Sequence, residues 1–244
     1  MQLKIYKDYQ SLSDAAANEI IELVKKKPGA VVCMASGDTP RLTCKLFVEK
    51  AKTEKVDLAQ MTFIGLDEWV GIPSEKDGSC HYFFKTEIFK PLHLSTKQMR
   101  LFNAMSVSLE EECRKMDKII FENGGIDLMI VGIGMNGHIG FNEPGVSFNN
   151  YAHVIDLDET TITVGQKYFK TPVVIQKGIT LGLKHLQESK KVLLLANGTK
   201  KADVIKKTVE EEVTNLFPAS IMQMHSNGFV MIDEEAAGLL DHKK

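Results

Sequence analysis

The chain has 244 residues, 43% of them hydrophobic and 25% charged, with 30 Lys+Arg against 32 Asp+Glu and a net charge of −2. That length allows one sizeable core, and the charge balance excludes the basic excess of a nucleic-acid partner. No run reaches the roughly eighteen apolar residues of a membrane span, and the opening MQLKIYKDYQ lacks the features of a signal peptide, so no membrane partner and a cytoplasmic location are expected.

The first predicted element is a helix. Leu12, Ala16, Ile20 and Leu23/Val24 form a stripe at helical spacing, with Ser11 and Ser13 as candidate caps and Pro28-Gly29 as the stop. AVVCMAS (30–36) reads as a strand. Leu42, Leu46 and Phe47 then begin a second helix, with Thr39 as its candidate cap and Pro40 in its first turn. MTFIGLDE (61–68) is the next strand, Ser108–Phe121 a helix and IDLMIVGIG (126–134) a strand. KVLLLANG (191–198), a helix over Lys200–Glu210 and GFVMID (228–233) complete the series. The strands are nearly continuous in Val, Ile, Leu and Met, as strands buried on both faces are. Their alternation with helices predicts an α/β fold, a mostly parallel, Rossmann-like (doubly wound) sheet flanked by helices, forming one domain over 1–244. In such a sheet ligands bind beyond the carboxyl ends of the strands.

Four segments in that position carry candidate chemistry. Ser36-Gly37-Asp38-Thr39-Pro40 is a hydroxyl-and-glycine turn opening a helix, whose free N–H groups suit a phosphate as well as an ordinary turn. Asp67-Glu68 end an apolar strand beside the only tryptophan; side chains alternate along a strand, so at most one of the two faces the site as a general base, and on this segment alone a helix cap or surface pair is the simpler reading. Gly132–Gly145 contains GxGxxG, but Pro144 and the crowd of glycines leave no room for the helix a dinucleotide fingerprint must open. It reads instead as a loop fixing Asn136, His138 and Glu143, with a carboxylate to orient an imidazole. Asn197–Lys201 repeats the glycine-and-hydroxyl theme and adds lysines. The remaining histidines (His81, His93, His153, His185, His225, His242) show no ligand spacing, and Cys33, Cys44, Cys80 and Cys113 read as free thiols, so neither metal nor cofactor is expected.

Ser36-Gly37-Asp38-Thr39-Pro40, Leu66-Asp67-Glu68-Trp69, Gly137-His138-Ile139-Gly140-Phe141-Asn142-Glu143-Pro144 and Pro218-Ala219-Ser220 resemble the amino-sugar-6-phosphate deaminase/isomerase family over essentially the whole chain. Lys27–Ala30, Val56–Trp69, Gly124–Leu128, Lys177–Lys184 and His225-Ser226-Asn227 look closest to its galactosamine-6-phosphate branch. The resemblance implies isomerisation with deamination of galactosamine 6-phosphate to tagatose 6-phosphate and ammonia. Glucosamine 6-phosphate giving fructose 6-phosphate is the alternative, and a sugar-phosphate sensor the non-enzyme one. It further implies Asp67 as the base at C2, His138 as the ring-opening acid/base, Glu143 as its partner, and Ser36, Gly37, Asp38, Thr39 and Lys201 as phosphate ligands. Asn136 stands where part of the family has an aspartate, which leaves it holding His138 through a hydrogen bond. Lys167 stands where some members use an arginine for phosphate. Val146–His153 lacks the basic stretch on which regulated members build an activator site, so no activation by an N-acetylated sugar phosphate is expected. Val146–Tyr168 is the expected lid. Family members range from monomers to hexamers, which admits a homo-oligomer.

Overall fold

The computed structural model describes residues 1–241; His242 lies outside them. The chain opens with β1 (Gln2–Tyr6), α1 (Tyr9–Lys26), β2 (Val31–Met34) and α2 (Asp38–Thr53). After β3 (Thr62–Gly65) come the short β4 (Asp67–Trp69), α3 (Cys80–Phe84), α4 (Lys90–Leu92) and β5 (Met99–Arg100). Next are α5 (Leu109–Glu122), β6 (Leu128–Val131), β7 (His153–Asp156), α6 (Glu159–Gly165) and β8 (Lys177–Thr180). The series ends with α7 (Leu183–Glu188), β9 (Val192–Ala196), α8 (Ala202–Glu210) and β10 (Gly228–Asp233).

Seven strands form one sheet in the order β1-β10-β9-β6-β2-β3-β5, every neighbouring pair parallel. The sheet is covered on both faces. Along β2, β6 and β9, alternate residues enter two separate cores: Val32, Met34, Leu128, Ile130 and Leu193 meet α1 and α2. Val31, Cys33, Met129, Val131 and Leu194 meet α5, α7 and α8. Each large aliphatic side chain so buried contributes about 1.5–3 kcal/mol, which is why nearly unbroken apolar runs are stable here. The α/β class and its flanked parallel sheet are as expected.

Local differences have simple causes. Helix α1 is capped by Asp8, whose carboxylate accepts from Ser11 N at 2.8 Å, while Ser13 is buried inside the helix. Helix α2 begins at Asp38 behind Gly37 with no side-chain cap, so Thr39 is a first-turn residue. The apolar run 61–68 is not one strand. At Gly65 the chain leaves the parallel sheet, and Asp67–Trp69 pairs antiparallel with β8, which pairs antiparallel with β7. This second, three-stranded sheet (β4-β8-β7) stands beyond the carboxyl end of β3. Among the described residues no helix is long and apolar enough to cross a membrane.

Candidate active site

A cavity of about 820 Å³ opens where the turns after β2, β6 and β9 meet β4 and α6. On one side lies the turn Ser36–Pro40. Gly37 has φ +111°, a conformation L side chains rarely adopt, and a Cβ there would stand 3.2 Å from the Tyr168 hydroxyl. The Tyr9 hydroxyl ties the turn to α1, lying 2.9 and 2.8 Å from the carbonyl oxygens of Asp38 and Thr39 and accepting from Leu42 N at 3.2 Å. Lys167 Nζ pairs with Asp38 at 2.8 Å, which puts a cation beside the turn. Lys201, after β9, donates to the carbonyl of Ile133 at 2.6 Å. Burial, reinforced by the charge of Lys167, pushes its ammonium down to about 8.

Asp67 forms the floor. Its side chain faces the cavity, and burial raises its pKa to about 7; a hydrogen bond from Cys80 Sγ at 3.4 Å opposes the rise, and Glu68 adds to it. Glu68 turns the other way, as strand alternation requires. It is buried and accepts from the N–H groups of Trp69, Cys80 and His81 at 2.9, 3.0 and 2.8 Å.

The loop after β6 contains no helix, so the dinucleotide reading is excluded by structure as well as by sequence. His138 lines the cavity. Its Nδ1 lies 3.4 Å from Glu143 Oε2 and 3.1 Å from Thr161 Oγ1, which leaves Nε2 for the cavity. Gly134 packs against the imidazole so closely that a Cβ would overlap the ring. Glu143 is buried; burial pushes its pKa up, but hydrogen bonds from His138, Thr161 and Asn136, together with the charge of His138, outweigh that and hold it below the usual range. Asn136 Nδ2 donates to Glu143 at 2.9 Å, and its Oδ1 accepts from His138 N at 3.2 Å. The loop is braced from outside: Phe141 N donates to Thr180, Asn142 Nδ2 to the carbonyl of Leu181, and Ala219 N to the carbonyl of Gly137.

Ser36, Gly37, Asp38, Thr39, Asp67, His138, Lys167 and Lys201 thus line one cavity, while Asn136 and Glu143 stand behind His138 and away from its wall. Sequence reasoning missed Thr161, Tyr168 and Cys80. The stretch DETTITV and a lone cysteine carry no local signal, and only the fold delivers them. The segment 146–168 proves composite: its first half enters the second sheet as β7, and only α6 and the turn to Tyr168 cover the cavity. Among the described residues no group of three His, Cys, Asp or Glu is placed to hold a metal ion, and the four cysteines are free and buried.

Residues 7–231 match the family of glucosamine-6-phosphate isomerases/6-phosphogluconolactonase. A glucosamine-6-phosphate deaminase of Thermoanaerobacter sp. (strain X514) is 37% identical over 98% of this chain and 95% of its own length. Another, of Shouchella clausii (strain KSM-K16), is 38% identical over 97% of this chain and 96% of its own. The solved structure of a monomeric glucosamine-6-phosphate deaminase superposes with a TM-score of 0.95 at 35% identity, covering 98% of this chain and 100% of that one. Two expectations are overturned by these relatives. The likeness to the galactosamine branch, and with it galactosamine 6-phosphate as substrate, gives way because the similar enzymes are glucosamine-6-phosphate deaminases. The homo-oligomer gives way to the monomeric state of the solved relative. Branch-like segments such as Lys27–Ala30 and Gly124–Leu128 misled because they lie at the far end of the sheet, where Asp127 binds Lys27 and Lys190, and touch no substrate wall. With a family match running almost from end to end, the chain belongs to the glucosamine-6-phosphate isomerase/6-phosphogluconolactonase family and is an enzyme of its amino-sugar-6-phosphate deaminase/isomerase class, acting on a C–N bond.

Proposed function

We propose that the protein converts glucosamine 6-phosphate and water to fructose 6-phosphate and ammonia, working as a cytoplasmic, single-domain monomer. The phosphate sits on the N–H groups of Ser36–Thr39 with Lys201 as its main cation and Lys167 at the rim. His138 opens the pyranose by moving a proton between the ring oxygen and the anomeric hydroxyl through Nε2, while Glu143 and Thr161 hold Nδ1. Asp67 takes the proton from C2 of the open aldose and returns it to C1, passing through an enolamine. The resulting imine at C2 adds water and releases ammonia, which leaves the ketose. Asn136 keeps Glu143 and the His138 backbone in register without exchanging protons itself.

The observation that carries this reading is geometric: the Asp67 carboxyl, raised by burial, faces the same cavity as a carboxylate-held imidazole and a glycine-and-hydroxyl turn at a helix start. A base poised there both accepts and returns a proton near neutral pH. The test is ammonia release from glucosamine 6-phosphate, with galactosamine 6-phosphate as the control. Release from the gluco sugar at clearly higher kcat/KM is expected, and its absence would refute the proposal.

A further inference from the structure

Asp67 and Glu68 are neighbours with opposite surroundings, and the first turn of α3 creates the contrast. Glu68 receives three backbone N–H groups, two of them from Cys80 and His81, so it anchors the start of that helix. Ser79 fixes the same turn a second time: its hydroxyl accepts from Tyr82 N at 3.0 Å and donates to the carbonyl of Ser74 at 3.1 Å. A backbone held in this way has little freedom to move the Cys80 side chain, which is 4% exposed. Its Sγ lies 3.4 Å from Asp67 Oδ1, the one side-chain hydrogen bond to Asp67 among the described residues.

We infer that Cys80 is a positioning residue for Asp67: its thiol donates to the carboxylate, fixes its orientation over the cavity floor and favours its ionised, proton-accepting form. The inference rests on the proposed role of Asp67 as the base at C2. The thiol is suited to stay a donor, because burial and the charges of Glu68 and Asp67 push its own pKa well above the usual range, so it remains S–H throughout the working pH. Other titratable groups do not replace it. Glu68 on the same strand opposes ionisation of Asp67, and Cys33 on β2 is a buried neutral thiol. His138, Lys167, Lys201, Tyr168 and Asp38 line the cavity without bonding to Asp67. Anchoring by Glu68 and donation by Cys80 therefore form one device, in which a carboxylate that does no chemistry holds the turn that tunes the one that does.

The experiment compares C80A and C80S with the parent across the pH profile of kcat/KM, with D67N alongside. In C80A the base loses its one side-chain donor among the described residues, its pKa rises, and the acid limb moves to higher pH by about one unit, so activity well below the limb falls about tenfold while the plateau changes little. C80S restores a donor of similar size and returns the limb to the parental position or below. A merely structural cysteine would lower the plateau or the Tm without moving the limb, so coincident acid limbs in all three proteins overturn the inference. If they coincide and D67N is inactive, the cysteine inference fails alone. If D67N turns over like the parent, Asp67 is not the base and both fall.

Discussion

The wall of the cavity proposed to hold the phosphate comes from two short turns, 36–40 after β2 and 197–201 after β9, each following directly on a buried parallel strand. The wall proposed to carry the acid–base chemistry is different. Asp67 arrives on a strand that has already left the parallel sheet, His138 on a glycine-rich loop, and Thr161 on α6, with Glu143 and Asn136 behind. The first wall presents backbone N–H groups of short turns, tied to other segments by Tyr9 and Lys201; the second presents side chains placed by contacts over long sequence separations such as Phe141 to Thr180 and Ala219 to Gly137. The difference implies that substitutions on the first wall alter mainly substrate affinity, whereas those on the second alter turnover through displacements of an ångström or less.

The largest effect that would sharpen this contrast is expected at Asp67. D67N keeps the shape and removes the proton acceptor, so kcat should fall about 10³-fold, within the range for a positioned acid or base, while KM stays within a few-fold. A matching rise in KM would mean that the two walls are not separable. Next comes G134A, which removes no side-chain group from the cavity. Its Cβ overlaps the imidazole, so the ring of His138 must move, and kcat should drop about a hundredfold. An unchanged kcat would show that the loop yields easily and that the second wall is not held as rigidly as its bonds suggest.

Lys201 tests the first wall through pH. Its folded pKa lies at about 8, below the ordinary lysine value, so the cation is present at neutral pH and is lost as the pH rises through 8. KM for the sugar phosphate should therefore climb on the alkaline side with little change in kcat. K201R carries a charge that does not titrate there and should flatten that climb, with a raised KM at neutral pH because the guanidinium does not fit the place of the ammonium. A flat KM in the parent enzyme would remove Lys201 from the phosphate.

The same contrast governs what was legible in the sequence. The central strands were plain because runs such as LMIV and VLLLA are apolar enough to be buried on both faces, and the turns after them were visible as glycine with a hydroxyl residue. Edge and second-sheet strands were not. β1 is exposed or half-buried throughout, and β7 is half-exposed along most of its length. The break at Leu66 was hidden because Leu66 is as apolar as the residues before it, and only pairing with β8 reveals that the strand changes sheet. His138 and Glu143 stood out by residue type in an unusual context, whereas Asp67 took its expected role from the family resemblance. Thr161 and Cys80 did not, since their importance lies in atoms brought within hydrogen-bond reach by folding.

The smallest effect is expected where the scaffold is farthest from the cavity. Ser108 caps α5 by accepting from Glu111 N at 3.3 Å, and α5 closes the face of the parallel sheet that meets Met129 and Val131 through Cys113, Met116 and Ile120. No residue of α5 lines the cavity. Removing the hydroxyl leaves an N–H of the first turn without its protein partner, so S108A should cost about 1 kcal/mol, the usual worth of such a cap. In a chain of this size that lowers the Tm by about 2–4 °C. S108G should cost only a few tenths of a kcal/mol, because an uncapped glycine lets water reach the same groups. Neither variant should alter kcat or KM, which sets the scaffold apart from both walls. If S108A changed kcat as strongly as G134A, motion of α5 would have to reach His138 through the sheet, and the division between a stabilising frame and a reactive wall would not hold.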